Sequence, residues 1–181
     1  MFHREHAAAV NFRAEYANRE DFCRAFEANL KPFYLLTFLL TSNHKDAEHC
    51  VGAIIDQSFA ENCVFKAWVV SWIKRCLIRK AIQVVFSRTG SNEHRDLWWE
   101  ERGEPELRKV VDAVVGLDAM DRFVYVMSIL EGYSNKECSL LLDSTMDNVA
   151  RLRGRASRTI SVSDPFHAER LAGRSDRRES A

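Results

Sequence analysis

Apolar positions between residues 20 and 85 recur at helical spacing, not strand spacing. Phe22, Phe26, Leu30 and Phe33 return every three or four residues, and the stripe continues past Pro32 through Leu36, Leu39 and Leu40. Thr41-Ser42-Asn43-His44 interrupts it. Asn43, followed three residues later by Asp46, predicts an N-cap, and Val51, Ile54, Ile55, Ser58 and Phe59 predict a second helix ending near Ala60. A third helix is predicted over residues 66 to 85. No stretch alternates with period two, and no internal repeat is present.

The pattern breaks over residues 87 to 106, where Gly90, Gly103 and Pro105 stand among acids and a Trp98-Trp99 pair fit for docking. It resumes with Leu107, Val110, Val111, Val114 and Val115, and stops at Gly116. Phe123, Val126, Met127 and Leu130 mark the next helix. Val124, Tyr125 and Ile129 make that helix apolar nearly all round, so it is expected at the centre of a core. After Gly132, two short helices are predicted over residues 134–142 and 146–161. The expected fold is all-α: two small helical domains, 20–86 and 107–162, joined by an acidic linker, 87–106. An N-terminal extension, 1–19, precedes them and an arginine-rich tail, 163–181, follows.

Composition narrows the class without changing that picture. Charged residues make up 29% of the 181, with seven glycines and three prolines, which excludes collagen-like and disordered chains. The five cysteines are odd in number and never spaced C-x-x-C, which points away from a disulfide framework and towards a cytoplasmic location. The apolar run over residues 33–40 is too short to cross a bilayer, and the first ten residues lack an apolar signal core, so no membrane insertion is expected. Basic and acidic residues balance at 26 each, but they are segregated. Residues 62–92 hold no acid, the linker is acid-rich, and residues 151–178 turn basic again.

Two helices carry the candidate chemistry. Over residues 134–156, a helix with Cys138 and Leu141 inward meets a turn at Asp143-Ser144-Thr145. A second helix then turns Val149, Leu152, Ala156 and Ile160 to one side, the pattern of a helix-turn-helix. Its opposite face presents Asp147, Asn148, Ala150, Arg151 and Arg155, with Arg153 and Arg158 placed for phosphates. Arginine and asparagine contacts to base edges discriminate by about 1–3 kcal/mol each. On the third helix, Val70, Ile73, Leu77 and Val84 share one side. Trp68, Trp72, Arg75 and Arg79 share the other, an aromatic and cationic alternation suited to unstacked bases. The competing reading of that stripe is ordinary core packing by the tryptophans. No nucleophile elbow, Walker loop, dinucleotide fingerprint or zinc-ligand spacing occurs. No catalytic residue, metal site or cofactor is expected.

Taken in order, these features resemble the extracytoplasmic-function sigma factors of bacterial RNA polymerase. The segment from Leu36-Thr37-Phe38-Leu39-Leu40 through Asp46-Ala47-Glu48 is similar to that family's first conserved block. Glu131-Gly132-Tyr133-Ser134-Asn135-Lys136-Glu137 is similar to the opening of its C-terminal helix-turn-helix. The resemblance implies a sigma factor that binds core RNA polymerase through Asp46, Ala47 and Glu48. It implies that Trp68, Trp72, Arg75 and Arg79 recognise and open the minus-ten promoter element, and that the face from Asp147 to Arg155 reads the minus-thirty-five element. Promoter DNA and an anti-sigma factor are the further partners it implies. Departures from the family pattern stand at His49, Gly52 and Ala53, at Cys76, and at Ala150 and Leu152. Two other readings are a DNA-binding regulator that acts without polymerase and a protein-interaction module.

Overall fold

The computed structural model describes residues 15–60, 63–87 and 105–163. Its contacts divide the chain into two units, Met1–Thr89 and Gly90–Ala181. Among the described residues the secondary structure is helical, without strands, and no helix is long and apolar enough to cross a membrane. Residues 1–14, the acid-rich run with Trp98 and Trp99, and residues 164–181 lie outside the described residues.

The first unit packs three helices pairwise: α1 (Arg19–Thr41), α2 (His44–Ser58) and α3 (Val69–Phe86). A 3-10 turn, Lys66–Trp68, leads into α3, so the α-helix starts three residues later than the periodicity predicts. Asn18 opens α1 with a reciprocal cap. Its side chain accepts from the Asp21 N–H at 3.0 Å, and Asp21 accepts from the Asn18 N–H at 2.9 Å. Ser42 closes the helix in the left-handed region at φ 53, donating its N–H to the Phe38 carbonyl at 2.7 Å. Pro32 cannot supply the N–H that would bond the Ala28 carbonyl, and α1 accommodates this by keeping both residues on its exposed side. Leu30 departs from the expected stripe and is 49% exposed. The core is formed instead by Phe22, Phe26 and Phe33 against Val51, Ile54, Val64, Val69, Ile73 and Leu77.

Part of the expected N-terminal extension is built into this unit. The Ala17 N–H donates to the Val64 carbonyl at 2.7 Å, and Tyr16 pairs with Phe65 in an isolated bridge with its ring stacked 4.6 Å away. Asp21 adds ion pairs to Arg24 at 2.8 Å and to Lys66 at 3.5 Å, linking the start of α1 to the turn before α3.

The second unit holds α4 (Pro105–Val115), α5 (Ala119–Tyr125), a π-helical turn (Val126–Leu130), α6 (Asn135–Leu141) and α7 (Met146–Ser163). Pro105 sits at the first helical position, where its missing N–H costs nothing, so α4 begins two residues before the start expected for it. Phe123, Val124, Val126 and Met127 have no exposed surface, as expected for a central helix. Ile129 and Leu130 break that expectation at 40% and 46% exposed. The π turn is the cause. Its wider winding, with the Glu131 N–H reaching the Val126 carbonyl at 3.0 Å, carries the last residues off the α-helical phase. Arg122 is wholly buried at the junction of α4 and α5. It donates Nη1 to the Leu117 carbonyl at 3.0 Å and to the Val115 carbonyl at 3.4 Å, covering acceptors that the end of α4 leaves open.

The Asn18 backbone hydrogen bond holds the Asp21 carboxyl below its ordinary value of 3.8, helped by Lys66 and Arg24 against the opposing effect of burial. A depressed carboxyl stabilises the fold fully above its unfolded-state value, and that stabilisation is lost as pH falls through the folded-state value. Urea titrations of wild type and Asp21→Asn are therefore expected to differ at neutral pH and to converge in strongly acid solution. A gap that is independent of pH would exclude the charge as its source.

Candidate nucleic-acid interface

A reciprocal cap starts α6: the Glu137 N–H donates to Ser134 Oγ at 3.2 Å, and the Ser134 N–H donates to Glu137 Oε2 at 2.9 Å. Residues 142–145 then turn the chain, with Asp143 left-handed at φ 48 and the Asn148 N–H donating to Thr145 Oγ1 at 3.2 Å. Val149, Leu152, Ala156 and Ile160 are all buried, and α7 packs against α4, α5 and α6. Cys138 is buried in α6, whereas Leu141 is only half-buried and Leu142 takes the inner place. Burial pushes the Cys138 thiol up, Glu137 adds to the shift and Arg153 opposes it.

The apolar stripe fixes what faces out. Asp147, Ala150, Arg151, Arg155 and Arg158 are exposed, while Asn148 and Arg153 are half-buried. The polar side chains of this face also hold one another. Asn148 Nδ2 donates to Ser144 Oγ at 2.9 Å, and its Oδ1 accepts from Arg151 Nη2 at 2.6 Å. Arg155 reaches back instead of standing free: its Nε and Nη2 both meet Asp121 Oδ2, each at 2.7 Å. Sequence reasoning missed Asp121. An acid in the first turn of α5 is ordinary for a helix N-terminus, and nothing in the local pattern links it to a position on α7.

On α3 the stripe is split by packing. Trp68 is 61% exposed, and Arg75 and Arg79 are exposed below it. Trp72 is half-buried, with its ring edge-on to Phe22 at a centroid distance of 5.5 Å. The buried side of α3 is Val69, Ile73, Leu77, Ile78 and Ala81; Val70, expected among them, is 37% exposed. Trp68 leans edge-on against Phe65 at 5.1 Å, beside an open depression of about 430 Å³ lined by Glu15, Phe65, Lys66, Ala67 and Trp68. Phe65 precedes the expected helix, and Lys66, expected as its first residue, stands in the 3-10 turn instead.

On α2, Asp46 and Ala47 are buried and Glu48 is exposed, so of these three only Glu48 offers its side chain to a partner. Exposed His49 and Gly52 continue the same side, and an added Cβ at Gly52 would meet nothing within 4 Å. His44 stacks on Phe38 at 4.5 Å and shares a 2.7 Å hydrogen bond with Tyr34. Among the described residues no three His, Cys, Asp or Glu side chains gather as a metal site.

No family model matches the chain, and no curated protein matches it. Among solved structures it is similar to the sigma factor RpoE from Bartonella quintana, determined in complex with the anti-sigma factor NepR. The two are 16% identical with a TM-score of 0.55, covering 80% of this chain and 96% of that one. The likeness is one of fold: this chain has an all-α fold similar to that of this sigma factor.

Trp68 and Trp72 are expected to respond differently to truncation. Trp72→Ala should lower unfolding free energy by roughly 2 kcal/mol, as loss of half a buried aromatic does, whereas Trp68→Ala should stay within about 0.5 kcal/mol of wild type. Urea denaturation followed by circular dichroism measures both. Equal losses would show that Trp68 packs as tightly as Trp72.

Proposed function

We propose that this chain is a sigma factor that binds core RNA polymerase and directs promoter-specific initiation, without catalytic residues of its own. The observation that carries this reading is the sigma-factor fold, spanning 80% of the chain, with the polar, arginine-bearing side of α7 left exposed. In this reading the span from Ser134 through α7 is a DNA-binding helix-turn-helix, and α7 enters the major groove at the minus-thirty-five element. Arg151, Asn148 and Arg155 face base edges there, with Asp147 and Ala150 beside them, and Arg153 and Arg158 neutralise phosphates. Trp68, Arg75 and Arg79 meet the opened minus-ten strand, where a ring stacks on a base and guanidinium groups follow the backbone. Trp72 supports them from beneath by fixing α3 on Phe22. Glu48 and its exposed neighbours on α2 form the polymerase-docking side, with buried Asp46 and Ala47 holding that helix in place.

The segment over residues 87–106 is an acidic tether between two DNA-contacting domains, and the working location is the cytoplasm, where polymerase acts. The similar protein was solved with an anti-sigma factor, which supports a partner of that kind for this chain as well.

Purified chain mixed with core polymerase and fragmented genomic DNA from the same organism should yield transcripts with discrete 5′ ends that share upstream sequence. Start sites identical to those of core alone would overturn the proposal. Arg151→Glu should cut transcripts from those sites by at least roughly tenfold while co-elution with core polymerase is unchanged. An Arg151→Glu protein that transcribes normally would move the recognition face elsewhere.

A further inference from the structure

The contact between α5 and α7 assigns a role to a residue that lies outside the exposed face of α7. Asp121 is buried, with its side chain 7% exposed, and Oδ2 takes both Nε and Nη2 of Arg155 at 2.7 Å. Among the described residues its other oxygen, Oδ1, has no hydrogen-bond partner, so Arg155 supplies the hydrogen bond to this carboxylate through Nε, with Nη2 completing the ion pair. The arginine is not consumed by the pair. Its side chain remains 48% exposed. The inner edge of the guanidinium is occupied, while Nη1 and the outer hydrogen of Nη2 stay available. That outer edge is a planar pair of donors suited to the two acceptors that guanine shows in the major groove.

We propose that Asp121 is a positioning residue for base recognition: it locks the guanidinium of Arg155 so that its outer edge is presented to one base pair. This rests on the reading of α7 as the recognition helix. The physical reason is entropic. A free arginine on a helix surface samples many rotamers and surrenders that freedom on binding, whereas one already held by a buried carboxylate has surrendered it on folding. A pair that merely joined α5 to α7 would help every DNA sequence alike. A presented guanidinium helps one base at one position.

The test uses the full chain bound to core polymerase. Wild type is first used to select duplexes from a library randomised upstream of a start site. Fluorescence anisotropy then measures binding to the selected duplex, to its single-base variants and to a scrambled duplex. Asp121→Asn should lose roughly tenfold on the selected duplex, leave the scrambled duplex and its salt dependence unchanged, and lose discrimination at one base pair. Arg155→Ala should lose discrimination at that same base pair, and the double variant should bind no worse than Arg155→Ala. Equal loss by Asp121→Asn on selected and scrambled DNA, or full retention of selectivity, would overturn the proposal while leaving the recognition helix standing. Wild type that selects no sequence would overturn both. Arg155→Lys keeps the ion pair but lacks the planar fork, so it covers the case in which Asp121→Asn fails to fold. It should melt like wild type and still lose discrimination at the same base pair; retained discrimination would overturn the proposal.

Discussion

Everything assigned to the second unit depends on the burial of four side chains. Val149, Leu152, Ala156 and Ile160 lie on one side of α7 and pack against α4, α5 and α6, and once they are inside, the rotation of the helix about its own axis is settled. A helix has no other freedom to choose which residues it shows. Arg151 is outward because the apolar stripe is inward, at a spacing that leaves it on the far side, while Arg155 stands on the flank, within reach of Asp121. The reciprocal cap of Ser134 and Glu137 and the left-handed turn at Asp143 set where α6 ends and α7 begins, and so which residues of α7 come first.

Polar groups inside this unit show how a small helical core tolerates charge. Arg122 has no exposed surface, yet it lies against carbonyls at the end of α4 that need donors. A helix terminus and a buried guanidinium each carry a desolvation cost alone, and each reduces the other's here. Asp121 and Arg155 solve a related problem across two helices, with one partner buried and the other half in solvent. Such a pair gives a core direction that apolar packing does not, because its hydrogen bond forms in one geometry only.

The first unit illustrates the same principle with aromatic groups. Trp68 and Trp72 look equivalent on a helical wheel, but the 3-10 turn before α3 changes the phase between them. One is exposed against Phe65; the other is held edge-on by Phe22. Packing thus treats the two differently: Trp72 is half-buried and Trp68 is exposed. On α2, Asp46 and Ala47 stand in the first turn, three and four residues after the cap at Asn43. The inward direction of that first turn leaves Glu48 as the member of the trio that a partner could touch.

The helical class, the cap at Asn43, the stripes of α1, α2 and α7 and the central run from Phe123 to Met127 were all legible along the chain. They rest on interactions within a few residues and on a period that any buried helix must obey. What was not legible depends on neighbours distant in sequence or on departures from ideal winding. Leu30, Phe59 and Val70 are exposed, Ile129 and Leu130 emerge through a π turn, and Tyr16 meets Phe65 with two helices between them in sequence. Asp121 could not be found from its own surroundings, since an acid near a helix start needs no explanation until Arg155 arrives from another helix. Local periodicity decides which side of a helix is buried. Only the packed structure decides what that side meets, and therefore which of the polar residues are held and which stand free.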